Sequence, residues 1–186
     1  MEIAIRSLNA CRQTYAQLTT LLVDVVAAGG SVSFMAPLEP DSARAFWEHA
    51  FAAAGRGQRI VLGAWDGDVL AGSVTLILDC PPNQPHRAEI AKLMTRPAYR
   101  GRGVASELIR AAEACAVRLA KTLLVLDTAS EGGAASLYER FGFTFAGEIP
   151  DYALKPHGGL TGTRLYWKRL SLPAALARPS VPVALP

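Results

Sequence analysis

Between Ala88 and Asp127 the chain reads as an apolar strand, an arginine- and glycine-rich bend, a long amphipathic helix and a second apolar strand. No other stretch constrains the fold as strongly. Ala88–Met94 is halted by Thr95-Arg96-Pro97, because proline cannot donate to a ladder. Gly103–Ala120 carries a helical stripe of Val104, Leu108, Ala111, Ala112, Cys115 and Leu119. Leu123–Leu126 is a continuous apolar run of the kind buried on both faces. Two strands joined by such a helix pair in parallel through a right-handed crossover.

Upstream, Ile3 and Ile5 alternate within a short strand over residues 2–6, and Leu18, Leu21, Leu22 and Val25 fall on one helical stripe that Gly29-Gly30 ends. Asp41-Ser42 reads as the cap of a second helix through Phe46, Trp47 and Phe51. The run from Arg59 to Trp65, the turn Asp66-Gly67-Asp68 and the run from Val69 to Leu78 predict an antiparallel hairpin. Beyond the crossover, Ala134, Leu137, Tyr138 and Phe141 mark a helix stopped by Gly142, and Phe143–Phe145 and Leu165–Trp167 read as the last strands. A parallel pair beside an antiparallel hairpin predicts an α/β (α+β) fold with a mixed sheet and helices on both faces. Residues 1–170 read as one domain and 171–186, with four prolines, as a flexible tail.

The 186 residues, 51% apolar and 19% charged, exclude wholesale disorder, and a formal charge of +3 gives no footprint for nucleic acid. No run of about 18 uninterrupted apolar residues predicts a membrane span. Cys11, Cys80 and Cys115 stand far apart with no CxxC or His/Cys cluster, so neither disulfides nor a metal is expected, and a reducing cytoplasm is. The start Met1-Glu2-Ile3 lacks the basic and apolar regions of a signal peptide.

The chemistry concentrates at Arg100-Gly101-Arg102-Gly103-Val104-Ala105. Gly101 and Gly103 permit unusual φ and a close backbone approach. The N–H groups of the first helical turn then point outward with the positive end of the macrodipole, which suits a phosphate. Arg100 and Arg102 add charge. A dinucleotide fold would place its first glycine directly after the strand and a third three residues past the second; here Thr95 to Arg100 intervene and Ser106 takes the third place. A Gly-Lys-Ser/Thr triphosphate loop is missing.

Arg100–Ala105 before a long helix resembles the acetyl-CoA motif of the GNAT N-acetyltransferase superfamily, and Leu137-Tyr138-Glu139-Arg140-Phe141-Gly142-Phe143 is similar to its second signature. The resemblance covers about residues 2–170. The runs Asn83–Met94 and Leu126-Asp127-Thr128 look like the branch containing tabtoxin-resistance acetyltransferases. The resemblance implies a splayed central sheet of about seven strands, with acetyl-CoA as cosubstrate in the gap between the parallel strands. Backbone groups of Leu93, Met94 and Thr95 would hold the pantetheine arm, and amides from Gly101 through Arg102, Gly103, Val104 and Ala105 to Ser106 the pyrophosphate. Relatives carry an Asn near the start of the Tyr138 helix; here the region reads Ser130-Glu131-Gly132-Gly133, which leaves that contact to Ser130 or a backbone amide.

Acetyl transfer to an amine requires a proton acceptor, support for the oxyanion and a proton for the departing thiolate. Glu89 and Asp127, on adjacent parallel strands, can flank one cleft; the resemblance favours Glu89 as base and Asp127 as base or substrate ligand. It places Tyr138 at the general acid, although an apolar-stripe tyrosine alone reads as core. Cys115 reads as inert packing, His86 and His157 as loop residues, Lys92 as facing away from Glu89, and Trp167 as core. The resemblance assigns the acceptor pocket to Gly29–Phe34 and Pro150–Gly159, with Phe34 and Tyr152 as an aromatic wall and Glu89 with Asp127 facing a cationic amine. The acceptor so implied is a small-molecule amine. A non-catalytic acyl-CoA-binding module is the rival reading, and exposed strand edges allow a homodimer.

Overall fold

The computed structural model describes residues 3–132 and 134–176. The elements run β1 (Ala4–Ser7), α1 (Arg12–Ala27), α2 (Pro40–Gly55), β2 (Arg59–Asp66), β3 (Val69–Ile77), β4 (Arg87–Thr95), α3 (Val104–Arg118), β5 (Leu123–Ala129), α4 (Ala135–Arg140), β6 (Thr144–Leu154) and β7 (Leu160–Arg169), with one 3-10 turn at Pro97–Tyr99. The seven strands form one mixed sheet in the order β1-β2-β3-β4-β5-β7-β6, in which β4 and β5 are the parallel pair. This is the mixed α/β architecture expected from the crossover.

The strand period of two divides the core. Leu62, Val74, Leu76, Ile90, Leu124 and Leu126 face α3, where Val104, Leu108, Ile109 and Ala112 are buried against them. Val61, Trp65, Leu70 and Met94 face the other way, against Leu18, Leu21, Leu22 and Val26 of α1 and Trp47 and Phe51 of α2. Trp47 satisfies its indole by donating Nε1–H to the carbonyl of Leu18 at 3.1 Å.

Two features position the site. Gly72 on β3 leaves no room for a side chain: a Cβ there would sit 2.6 Å from the carbonyl oxygen of Met94 and 2.8 Å from Cγ1 of Val104. The start of α3 is thereby seated directly on the β3–β4 ladder. The second is the parallel pairing itself, which covers only Arg87/Leu123, Ala88/Leu124 and Glu89/Val125. Beyond Glu89, β4 continues to Thr95 and β5 to Ala129 with no ladder between them, so the sheet opens into a V.

Several boundaries differ from the sequence reading. α2 starts at Pro40, with Glu39 as N-cap, because a first-turn proline has its φ preset and no N–H to lose; Asp41-Ser42 lies inside the helix. The last two strands run 11 and 10 residues instead of three each. Register shifts between Phe145 and Gly147 and between Ile149 and Ala153 leave Ala146 and then Pro150, Asp151 and Tyr152 out of the pairing, which lets the strand continue past residues that break the sequence pattern. Leu119, placed on the α3 stripe by periodicity, is 44% exposed, since the helix ends at Arg118 and Ala120 turns the chain with φ 54°. Trp167 is half-buried rather than core. Of the expected tail, Leu172 and Leu176 line a surface cavity with Pro85, His86, Leu119 and Leu170, and residues 177–186 lie outside the described residues.

Candidate active site

The bend before α3 has the geometry an anion needs. Gly101 and Gly103 adopt φ of 74° and 82°, left-handed values that favour glycine. A Cβ on either would meet nothing within 4 Å, so the space before this backbone is open. Gly103 is the N-cap and has no side chain to satisfy the first turn. The first helical hydrogen bond runs from Glu107 N–H to the Gly103 carbonyl, which leaves the amides of Val104, Ala105 and Ser106 ahead of it. Arg100 and Arg102 are both exposed beside the loop, and the Arg102 guanidinium rests 5.5 Å over the Tyr99 ring. The donor set and the clear backbone suit a pyrophosphate. Leading to it, the edge of β4 that faces β5 is unpaired after Glu89, through Leu93, Met94 and Thr95. The Met94 side chain is buried in the core, so its backbone alone is free to meet a ligand.

At the other side of the V, on the face shared with α1 and α2, lies a cavity of about 410 Å³. Glu89, Asp127, Tyr138 and Tyr152 all line it, so the structure brings together the three expected catalytic side chains and one expected wall residue. Glu89 is paired with Arg87 at 3.5 Å. Asp127 accepts a hydrogen bond from the Thr163 hydroxyl of β7 at 2.9 Å. Tyr138 belongs to the core on the α3 side, yet lines the cavity from the opposite face, across the gap between β4 and β5. Burial, together with the negative charge of Asp127, pushes its phenol up to about 12. A phenol held protonated in this way is a proton donor throughout the neutral range.

Phe34 stands behind the wall rather than in it. Its ring meets Phe46 edge-on at 5.3 Å, and of these two rings it is Phe46 that lines the cavity. The residues flanking the first of the two loops expected to shape the pocket, Gly29–Phe34, meet the second: Ala36 N–H donates to the Pro156 carbonyl at 2.8 Å, and His157 Nε2 lies 3.1 Å from the carbonyl oxygen of Ala27. His86 lies outside the lining and instead lines a separate surface cavity with Trp167 and Leu170. The Ser130 amide donates to the Gly162 carbonyl, so it is engaged by β7.

Lys92 departs from the sequence reading. Strand alternation sends it away from Glu89, but the structure puts it on the wall of the same cavity. The cause is a bulge in β4: Thr75 pairs with Ala91 and Ser73 with Met94, so Val74 faces two residues, and Lys92 takes φ 51°. The extra residue also sends Leu93 to the α3 side with Ile90, away from Glu89 and Ala91. The Lys92 ammonium donates to the Ser33 hydroxyl at 2.9 Å and lies 5.7 Å from the Phe46 ring centroid. Burial lowers its pKa from the ordinary lysine value, against the opposing pull of Asp127 and Glu89, and Arg59 lowers it further. Arg59, at the start of β2, was not singled out by sequence reasoning, and it also lines the cavity. The available signal was a charged residue opening an otherwise apolar strand.

A β4/β5 pair that parts into a V, with a glycine-lined helix start at one side and ionisable groups at the other, defines a class of fold, and the comparisons agree with it. The profile of the acetyltransferase (GNAT) family matches residues 31–143, and this chain belongs to that family. Among solved structures, an N-acetyltransferase from Staphylococcus aureus Mu50 superposes with a TM-score of 0.76 at 18% identity, over 92% of this chain and all of that one. YncA of Salmonella typhimurium, a candidate acetyltransferase solved with its cofactor acetyl-CoA, gives 0.74 at 20% identity, over 98% and 99%. Identities this low carry the fold alone. Among the described residues no helix is long and apolar enough to cross a membrane. No group of three or more His, Cys, Asp or Glu side chains there could hold a metal ion.

Proposed function

We propose that this protein transfers the acetyl group of acetyl-CoA to the amine of a small molecule, by direct attack while both are bound. The observation that carries the reading is that Glu89, Asp127 and Tyr138 line one cavity at the V whose other side is the uncapped start of α3. Bound acetyl-CoA would supply the thioester that is consumed. The amides of Gly101 to Ser106, with Arg100 and Arg102, hold its pyrophosphate, and the free edge of β4 at Leu93, Met94 and Thr95 takes its pantetheine arm in strand fashion. Glu89 removes the amine proton, directly or through water, while Asp127 orients the amine. The Tyr138 hydroxyl delivers a proton to the departing sulfur, a role that its raised pKa supports. Within the family we assign the chain to the branch resembling tabtoxin-resistance acetyltransferases, on Asn83–Met94 and Leu126-Asp127-Thr128. A fold neighbour described as a candidate phosphinothricin N-acetyltransferase, at 21% identity and a TM-score of 0.72, is compatible with that assignment. The site of action we propose is the cytoplasm.

Thiol release from acetyl-CoA, followed across a panel of small amines, tests the reading. At least one amine accelerates release, and Glu89→Gln and Asp127→Asn slow it by about tenfold or more, with the larger loss at Glu89. Coenzyme binding with no acceleration by any amine would leave an acyl-CoA-binding module instead.

A further inference from the structure

One nucleophile on the cavity wall has no part in the proposed transfer: the ε-amine of Lys92. The sequence holds four lysines. Three of them commit their ammonium to a carbonyl or carboxylate oxygen: Lys121 to Pro85 at 2.7 Å, Lys155 to Glu131 at 3.1 Å and Lys168 to Glu113 at 2.6 Å. Lys92 instead meets a neutral hydroxyl, that of Ser33. The two carboxylates of the cavity are held elsewhere, Glu89 by Arg87 and Asp127 by the Thr163 hydroxyl. Both ends of the Lys92–Ser33 contact stand on left-handed backbone, at φ 51° and 72°, which such residues adopt only where the surrounding structure imposes it. A fixed cation shares the wall. Arg59, Ile77 and Glu89 stand in one register row across β2, β3 and β4, so the Arg59 side chain leaves the same face as Glu89. Its Nε atom is shut off from solvent and has no hydrogen-bond partner. Burial, aided by Arg59, acts against the charged form of Lys92, while Asp127 and Glu89 oppose them. A lysine amine becomes nucleophilic when it is desolvated or set beside another cation.

Lys92 also stands where an acyl group would arrive. In the proposed arrangement the pyrophosphate lies at the start of α3, and the pantetheine arm runs back along the free β4 edge from Thr95 to Leu93; Lys92 is the next residue. Resting on that reading of the coenzyme site, we infer that Lys92 is a self-acylation site, whose ε-amine takes the acyl group of the bound thioester when no amine acceptor fills the cavity. The lone pair of the neutral Nζ attacks the carbonyl carbon, the C–N bond of an amide forms, and the C–S bond breaks with its electron pair leaving on sulfur. Nitrogen gives one proton to Glu89, directly or through water, and sulfur takes one from Tyr138, so the products are acetyl-lysine and the free thiol. Acylation turns a cation into a neutral amide and fills part of the cavity of about 410 Å³, so a modified chain offers a smaller and less positive acceptor pocket.

The test incubates the full chain with acetyl-CoA and no amine, follows the mass of the intact protein, and locates each acetyl group by peptide mapping. Lys92 gains one acetyl group at least about tenfold faster than Lys121, Lys155 or Lys168. The rate is first order and independent of protein concentration, and free coenzyme A suppresses it. Lys92→Arg, which keeps the charge, loses the fast phase and leaves the slow background at the other three lysines. Equal rates at all four lysines, or a Lys92 rate untouched by coenzyme A, would mark plain solution chemistry and overturn the site. A rate that climbs with protein concentration overturns it too, since copies would then be modifying one another. Turnover of a small amine by a chain whose Lys92 stays unmodified overturns this inference alone. Modification of Lys92 without turnover of any amine would instead remove the small-molecule acceptor and leave the self-acylation site standing.

Discussion

The two sides of the V are built from different materials. On the α3 side, the proposed pyrophosphate cradle is main chain: two left-handed glycines, an uncapped first turn and a helix seated by Gly72. On the α1–α2 side, the cavity is side chain: Arg59 from β2, Glu89 and Lys92 from β4, Asp127 from β5, Tyr152 from β6 and Tyr138 from across the sheet. A main-chain cradle recognises what every substrate pair shares, while a side-chain wall can be rewritten residue by residue. The first should therefore be sensitive to backbone conformation and tolerant of side-chain chemistry, and the second the reverse.

Gly103→Val breaks the cradle and has the largest expected effect. A β-branched residue at φ 82° is strained even though its Cβ would meet nothing within 4 Å, and the loop must move. Coenzyme affinity should fall about a hundredfold by calorimetry, with the fold retained. Wild-type affinity would show that the cradle is not what holds the pyrophosphate. Tyr138→Phe acts on the wall alone. Its kcat should drop about a hundredfold, with coenzyme affinity retained. Because the phenol lies near 12, wild-type kcat should show no loss of this acid from about pH 7 to about pH 10.

The smallest effect sharpens the contrast through stability. The Lys92 pKa is lower in the folded chain than in the unfolded one, so the unfolded state binds more protons in the window between the two values. The cost of charging Lys92 is fully present below the folded pKa and fades as pH rises to the ordinary lysine value. Lys92→Met should therefore raise the melting temperature at neutral pH by roughly 2 °C, a gain that shrinks as pH nears 10.5. A gain independent of pH would trace the effect to packing instead of charge.

The glycine bend at the start of α3 was legible from residue spacing, because a strand, two glycines and an amphipathic helix are local signals whose periods fix their own geometry. The crossover was legible for the same reason, and it brought Glu89 and Asp127 to adjacent strands. Tyr138 needed the family resemblance, since its stripe position alone reads as core, and it is both: buried on the α3 side and lining the cavity. Lys92 was misread because a period-two count carries no sign of a bulge, and one inserted residue reverses every assignment after it. Arg59 was passed over because its relation to Glu89 runs across two ladders, 30 residues apart in the chain.

By itself the sequence determined the parallel crossover, the mixed sheet and a phosphate-ready helix start, since these follow from hydrophobic period, turn residues and the fixed direction of backbone dipoles. Only the tertiary structure decided the depth of the V, the passage of Tyr138 through it and the company of Lys92 and Arg59 beside the carboxylates. Those depend on where pairing between β4 and β5 stops and where β4 bulges, and both are set by packing between elements distant in the chain.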